Sequence, residues 1–198
     1  MKRIISWFFA VLLTLVFGGC AVVEKVEGDQ LLNNRLSMKL PQAWNRIAVN
    51  EGQPYQTWTQ EGLAIDHLRL WAAVKPGEPL RKGLTSPGAG RTAPRVPTYT
   101  KGMTLDQLAN LFELLYAADG STVTVTKIEP GVFAGSNGVR VEFSIVRKGD
   151  DVLLNGLAWA SVHKDEFFAA SFVAPRLHFF KRLAPLARDV VATAVVKN

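Results

Sequence analysis

GVRVEFSIV, residues 138–146, is the stretch on which the reading of this chain turns. Val139, Val141, Phe143 and Ile145 alternate with Arg140, Glu142 and Ser144. Successive side chains of a strand point to opposite faces, so this period of two predicts a strand with one face buried and one polar. One-sided strands of this kind belong to antiparallel sheets, because parallel sheets are covered on both faces. Lys148-Gly149-Asp150-Asp151 then reads as a hairpin turn. Leu153–His163 and Glu166–Ala174 form the next hairpin across Lys164-Asp165. Both runs are apolar or small on both sides, which places them in the middle of the sheet with both faces covered.

Upstream, STVTVTKI (residues 121–128) alternates threonine with valine and adds a strand before the opening one. Thr104-Leu105-Asp106-Gln107 has the spacing of a capping box, with the Thr104 hydroxyl at the N-cap and Gln107 reaching back. Leu105, Leu108, Leu111, Phe112, Leu115 and Tyr116 follow at helical spacing, so residues 105–118 read as an amphipathic helix ending at Asp119-Gly120. The C-terminal run carries Leu177, Phe180, Leu183, Leu186, Val190 and Ala194 at the same spacing. Pro185 within it lacks an N–H and predicts a kink or the start of a second segment.

Towards the N-terminus, Leu36, Met38 and Leu40 alternate with Ser37 and Lys39, a half-buried strand that Pro41 is expected to stop. Short strands follow at Arg46–Val49 and Tyr55–Thr59, then a longer one at Leu63–Val74. The order is strands, one helix, four strands, one helix. It predicts an α+β domain over residues 35–198, an antiparallel sheet of about six to seven strands packed against two helices. A chain of 198 residues suits one such domain.

Lys75–Lys101 interrupts this pattern. It holds five of the ten prolines and four glycines, which argues against regular structure. It also holds Lys75, Arg81, Lys82, Arg91, Arg95 and Lys101 against a single acid, Glu78. A long basic loop of this kind suggests contact with an anionic surface or partner, and Arg81, Lys82, Arg91, Arg95 and Lys101 are the candidate contacts. The competing reading is a solvated excursion with no partner.

The first residues are of a different kind. Met1-Lys2-Arg3 is basic, and Ile4–Phe17 is a run of fourteen uncharged residues, shorter than the roughly 20 needed to span a bilayer. A basic start, a short apolar run and small residues after it predict a secretory signal over residues 1–19. Cys20 is the only cysteine of the chain, so no internal disulfide can form. Residues 20–34 read as a tether, with room for a short strand. Removing residues 1–19 takes out Lys2 and Arg3 and no acid, lowering the formal charge from +6 to +4.

Gly18-Gly19-Cys20 resembles the lipobox of bacterial lipoproteins, with Phe17 standing where that pattern usually has leucine. The resemblance implies that Cys20 is the lipid-attachment residue and the mature N-terminus. Two or more acyl chains give a firm anchor at about 0.8 kcal/mol per buried methylene group, where one chain binds only marginally. Ala21 after the cysteine implies delivery to the outer membrane, facing the periplasm. Cleavage after Ala21 would instead give a soluble periplasmic protein. Within the domain, Met38-Lys39-Leu40-Pro41-Gln42-Ala43-Trp44, the mid-chain helix, the hairpins and Ala174-Pro175…Phe179-Phe180 are similar to the PsbP-like family. That family includes extrinsic photosystem subunits and DcrB-type envelope lipoproteins. Its fold implies an α/β/α sandwich, and its bacterial members imply a binding or assembly role with no catalytic residues to carry over.

No chemical motif competes with this reading. His67, His163 and His178 have no second ligand at metal-site spacing, and His163-Lys164-Asp165-Glu166 falls at a hairpin tip. Asp66, His67 and Arg69 read as a surface salt-bridge set. Gly135-Ser136-Asn137-Gly138 is a turn rather than a nucleophile elbow, and Gly88-Ala89-Gly90 lacks the rest of a phosphate loop. Trp44, Trp58, Trp71 and Trp159 read as core, although Tyr55 and Trp58 near a Gly/Pro turn are candidates for a ligand groove. The expected function is a non-enzymatic cell-envelope lipoprotein that binds a protein partner or assembles with one, with no cofactor, metal or nucleic acid. The alternative is a carrier of a small ligand in a pocket between sheet and helix. An enzyme with a dispersed site is the third possibility.

Overall fold

The computed structural model describes residues 22–48, 52–83 and 96–197. Among these residues, nine strands and two helices follow one another as β1 (Val22–Leu32), β2 (Leu36–Ala48), β3 (Tyr55–Thr59), β4 (His67–Val74), α1 (Leu105–Ala117), β5 (Thr122–Phe133), β6 (Ser136–Val146), β7 (Leu153–His163), β8 (Glu166–Pro175), α2 (Phe179–Ala192) and β9 (Val195–Val196). They form one sheet in the order β1-β2-β3-β4-β8-β7-β6-β5, with β9 paired to β2. Every pairing is antiparallel.

The pattern of residues 138–146 holds in space. Val139, Val141, Phe143 and Ile145 are buried against α1, and Arg140, Glu142 and Ser144 turn away from it. The doubly apolar strands β7 and β8 lie mid-sheet, as expected. On β8, Phe167, Ala169 and Val173 pack towards α1, while Phe168, Ala170, Phe172 and Ala174 pack towards α2. Helix α1 carries the capping box: the Thr104 hydroxyl accepts from Gln107 N–H and Gln107 Oε1 accepts from Thr104 N–H. The α2 helix runs through Pro185 as a single element over Phe179–Ala192, so Pro185 does not start a second segment.

The sheet has nine strands rather than six to seven, and the difference lies mostly at its N-terminal end. Residues 22–32 are not merely a tether: they pair with β2 along their length. Pro41 does not stop β2 either. It sits where the β1–β2 register shifts between Val26 and Gly28, and a bulge leaves room for a residue without an N–H. At the opposite edge β5 runs on past Ile128 to Phe133, and Pro130 is tolerated because an edge strand has one unpaired side.

The Leu63–Val74 strand is shorter than its sequence suggests, beginning at His67, and residues 62–66 form a turn instead. Part of Lys75–Lys101 is tied down. Pro79 bridges Thr98, Leu80 N–H donates to Pro97 O at 2.7 Å, and Tyr99 N–H donates to Glu78 O at 3.1 Å. Leu80 and Tyr99 are fully buried, and the Trp71 indole N–H donates to Leu80 O at 2.9 Å. The base of this loop is therefore part of the α1-side core.

Candidate functional site

Strand β4 is covered on both faces, so its odd-numbered side chains must find partners beneath α1. Leu68, Leu70 and Ala72 pack into the α2-side core. His67 and Arg69 point the other way, alongside Trp71. An arginine in such a strand needs a reason. Its guanidinium carbon lies 5.1 Å from the ring centre of Tyr55 and 5.5 Å from that of Tyr116. Arg69 thus sits between two aromatic faces, an arrangement that stabilises a cation through the ring quadrupoles. Its Nε is shielded from water and has no hydrogen-bond partner among the described residues.

Arg69 lines a cleft of about 320 Å³ between the sheet, the end of α1 and the turn at residues 62–66. Arg81, from the tied base of the basic loop, lines it too, as does Arg147 at the end of β6. Arg147 is neutralised: its Nε donates to Asp150 Oδ1 at 3.0 Å, and this contact holds the guanidinium pKa above its usual value. Among the described residues, Arg69 and Arg81 have no carboxylate partner. Leu63, Ile65, Leu115, Ile145, Leu154 and Val173 supply an aliphatic part of the wall, beside His67, Tyr116 and Ser121. The one acid in the lining, Asp119, already accepts from Ser121 N–H at 2.9 Å.

Two buried groups fix the shape of the cleft. Asp66 is fully buried, and its carboxylate accepts from Gln60 N–H at 2.9 Å and Glu61 N–H at 2.7 Å, so it pins the turn that forms one wall. Burial raises its pKa, and the two backbone N–H groups oppose that rise. The Tyr116 hydroxyl meets Ser171 Oγ at 2.7 Å, anchoring the end of α1 to β8, and burial raises the phenol pKa. His67 lies against Tyr116 with ring centres 5.8 Å apart. Burial lowers its pKa well below the usual 6.5, and the neighbouring Arg69 lowers it further, so the imidazole is neutral at physiological pH.

The expected Asp66–His67–Arg69 salt-bridge set does not exist. Asp66 is spent on backbone N–H groups, while His67 contacts the ring of Tyr116 and Arg69 the rings of Tyr55 and Tyr116 on the α1 side of the sheet. Nor do Tyr55 and Trp58 share a groove. Tyr55 backs Arg69, whereas Trp58 is fully buried in the α2-side core. Trp44, Trp71 and Trp159 are core residues as well. Of the candidate anionic contacts, Arg81 is in the cleft, but Lys101 is paired with Asp165 at 2.7 Å. Lys82 is tied through its backbone to the Gln53 side chain. Arg91, Arg95, Gly88-Ala89-Gly90 and Cys20 lie outside the described residues.

His163 and Glu166 are cross-strand partners at the β7–β8 hairpin. Their side chains serve others: His163 Nδ1 meets Ser136 Oγ at 3.3 Å, and Glu166 binds Arg35. Ser136 opens β6 rather than lying within a turn, and the β5–β6 turn is Ala134-Gly135. His178 is exposed beside the edge of Phe179. Among the described residues no group of three His, Cys, Asp or Glu side chains is placed to hold a metal ion. No helix among them is long and apolar enough to cross a membrane.

No family model matches the chain, and no curated protein matches it in sequence. Solved structures do. A crystal structure from Bacteroides thetaiotaomicron VPI-5482 gives a TM-score of 0.48 at 11% identity, covering 87% of this chain and 49% of that one. The solution structure of cyanobacterial PsbP (CyanoP) from Synechocystis sp. PCC 6803 gives a TM-score of 0.56 at 12% identity. It covers 91% of this chain and 96% of its own. The described residues therefore form a PsbP-like α+β domain, and at this identity the likeness is one of fold.

Proposed function

We propose that this chain is a non-enzymatic binding domain of the cell envelope, held at the outer membrane by acyl chains on Cys20, and that it takes an anionic ligand in the cleft beneath α1. The observation that carries the binding site is Arg69. A cation in a strand covered on both faces, without a carboxylate partner among the described residues, is costly to the fold unless something else uses it. Ligand sites are concave and largely apolar, with a few convergent polar groups, and the cleft has this composition. It lies between sheet and helix, which favours the small-ligand carrier over a purely protein-docking role.

A docking role for the basic loop is the second reading. It is favoured by the stem that Pro79, Leu80, Thr98 and Tyr99 fix to the core. In-cell photo-crosslinking from residue 63, at the rim of the cleft, separates the two. Under the carrier reading, Arg69→Gln removes the crosslinked species and deletion of residues 84–95 does not; the reverse pattern selects the loop. Metabolic labelling with a fatty acid tests the anchor: label is expected on the wild type and absent from Cys20→Ser. Unlabelled wild type would leave a soluble periplasmic protein.

A further inference from the structure

We infer that the cleft is built for an amphipathic monocarboxylate of medium length, its head held by Arg69 and Arg81 and its apolar body laid against Leu115, Ile145, Leu154 and Val173. The inference rests on the reading of the cleft as an anion site and adds the chemistry of the ligand.

Three features select this class. The first is charge. Arg147 is already satisfied by Asp150, and Asp119 adds negative charge to the lining, so only two guanidinium groups face a ligand without a carboxylate partner among the described residues. Two such groups suit one compact anionic head, whereas a polyphosphate would call for a larger cationic set. A guanidinium stacked between Tyr55 and Tyr116 is also pre-oriented, which lowers the cost of ordering it on binding.

The second is size. A cleft of about 320 Å³ stands at the small end of the roughly 300–1,000 Å³ range of ligand pockets, which suits a ligand the size of a medium-length carboxylic acid. The third is the wall. Leu115 and Leu154 are buried, and Leu63, 44% exposed, stands at the rim, giving an aliphatic surface that a head-group-only site would not need. His67 contributes no charge while neutral, and its position under Tyr116 keeps that side of the cleft weakly polar.

The test is calorimetric titration of the purified protein at neutral pH with acetate, butanoate, hexanoate and octanoate, with octanamide as the uncharged control. Affinity is expected to rise by up to about fourfold per added methylene group, with octanamide binding at least tenfold more weakly than octanoate. Arg69→Gln should lower octanoate affinity at least tenfold. Because Arg69 is half-buried, Arg81→Gln at the loop base and Leu63→Asp at the rim serve as variants that leave the core untouched; each should weaken octanoate binding several-fold. Anion binding that depends on Arg69 but is flat with chain length overturns the amphipathic ligand and leaves the anion site standing. Octanamide binding as tightly as octanoate overturns the role of the head group. Octanoate binding unchanged in both arginine variants, or no binding by any of the acids, overturns the ligand class and the cleft together.

Discussion

The guanidinium of Arg69 lies 5.5 Å from the ring centre of Tyr116, and the ion pairs of the described residues all involve other side chains. Two opposing energies meet there. Stacking on two rings contributes about 0.5–2 kcal/mol per ring, depending on how dry the contact is. Partial burial of an unpaired charge costs several kcal/mol before solvent relieves it. The second effect should win, so Arg69→Met is expected to leave stability unchanged or raise it by up to about 2 kcal/mol, as functional groups often stand at the expense of stability. Urea unfolding at pH 7 measures this. A loss above about 1 kcal/mol would make Arg69 a structural residue and weaken its assignment to binding.

Asp66 is the opposite case, a buried charge fully used. Its two oxygens accept from Gln60 and Glu61 N–H, and hydrogen bonds to a charged group contribute about 1.5–3 kcal/mol each. Desolvation of the carboxylate outweighs these bonds in the balance between its charged and neutral forms, which is why its pKa is raised. Asp66→Ala should cost roughly 2–3 kcal/mol, because it also leaves two backbone N–H groups unpaired. It should also increase hydrogen exchange at residues 60–66 well beyond that at β7 and β8. Equal protection in variant and wild type would show that the turn is held by other contacts.

Acid should destabilise the domain through His67. Its folded pKa lies well below 6.5, so as pH falls through 6.5 the unfolded chain takes up a proton that the folded imidazole refuses. Stability from this group is therefore full above 6.5 and declines below it. Arg69 on the same strand, Tyr116 on α1, and Arg81, Arg147 and Asp119 in the adjoining lining are the charged or titratable groups near the ring. The raised pKa of Asp66 acts with the opposite sign, but only near the carboxylate range around 3.8 and somewhat above. His67→Gln should flatten the decline just below pH 6.5, measured as unfolding free energy against pH. A slope unchanged in the variant would assign it to another group.

Much of the domain is legible along the chain because its signals are local. The alternation at Val139–Ile145 and the Thr104–Gln107 capping box each lie within a few residues, and each reappears in the fold. Strand β1 is illegible for a physical reason. In VVEKVEGDQLL only Val26 and Leu32 are buried among the described side chains, so an edge strand held by its backbone leaves no hydrophobic period. The turn at residues 62–66 is masked by its own apolar residues, Leu63, Ala64 and Ile65, which line the cleft rather than a sheet. The cleft itself joins residues far apart: Arg69 is stacked by Tyr55 and Tyr116, on different elements. One clue was present, an arginine amid the apolar run of residues 67–74, and its meaning depended on knowing that both faces of β4 are covered.

Phe143 and Gly156 are cross-strand partners on β6 and β7, and the aromatic ring occupies the space a side chain at 156 would need. A Cβ placed on Gly156 falls 2.2 Å from the Phe143 ring, well inside van der Waals contact. The ring cannot simply rotate away, because it packs against Tyr116 with centres 5.2 Å apart. Gly156→Ala should therefore cost about 1–3 kcal/mol, the range for overpacking a dense core. It should also push Phe143 against Tyr116 and so disturb the end of α1 that walls the cleft. Phe143→Leu, which removes the clashing ring edge, should recover part of the loss when combined with Gly156→Ala. Denaturant unfolding of the two single variants and the double variant gives the coupling directly, and strictly additive losses would mean that the ring is not what keeps position 156 free of a side chain.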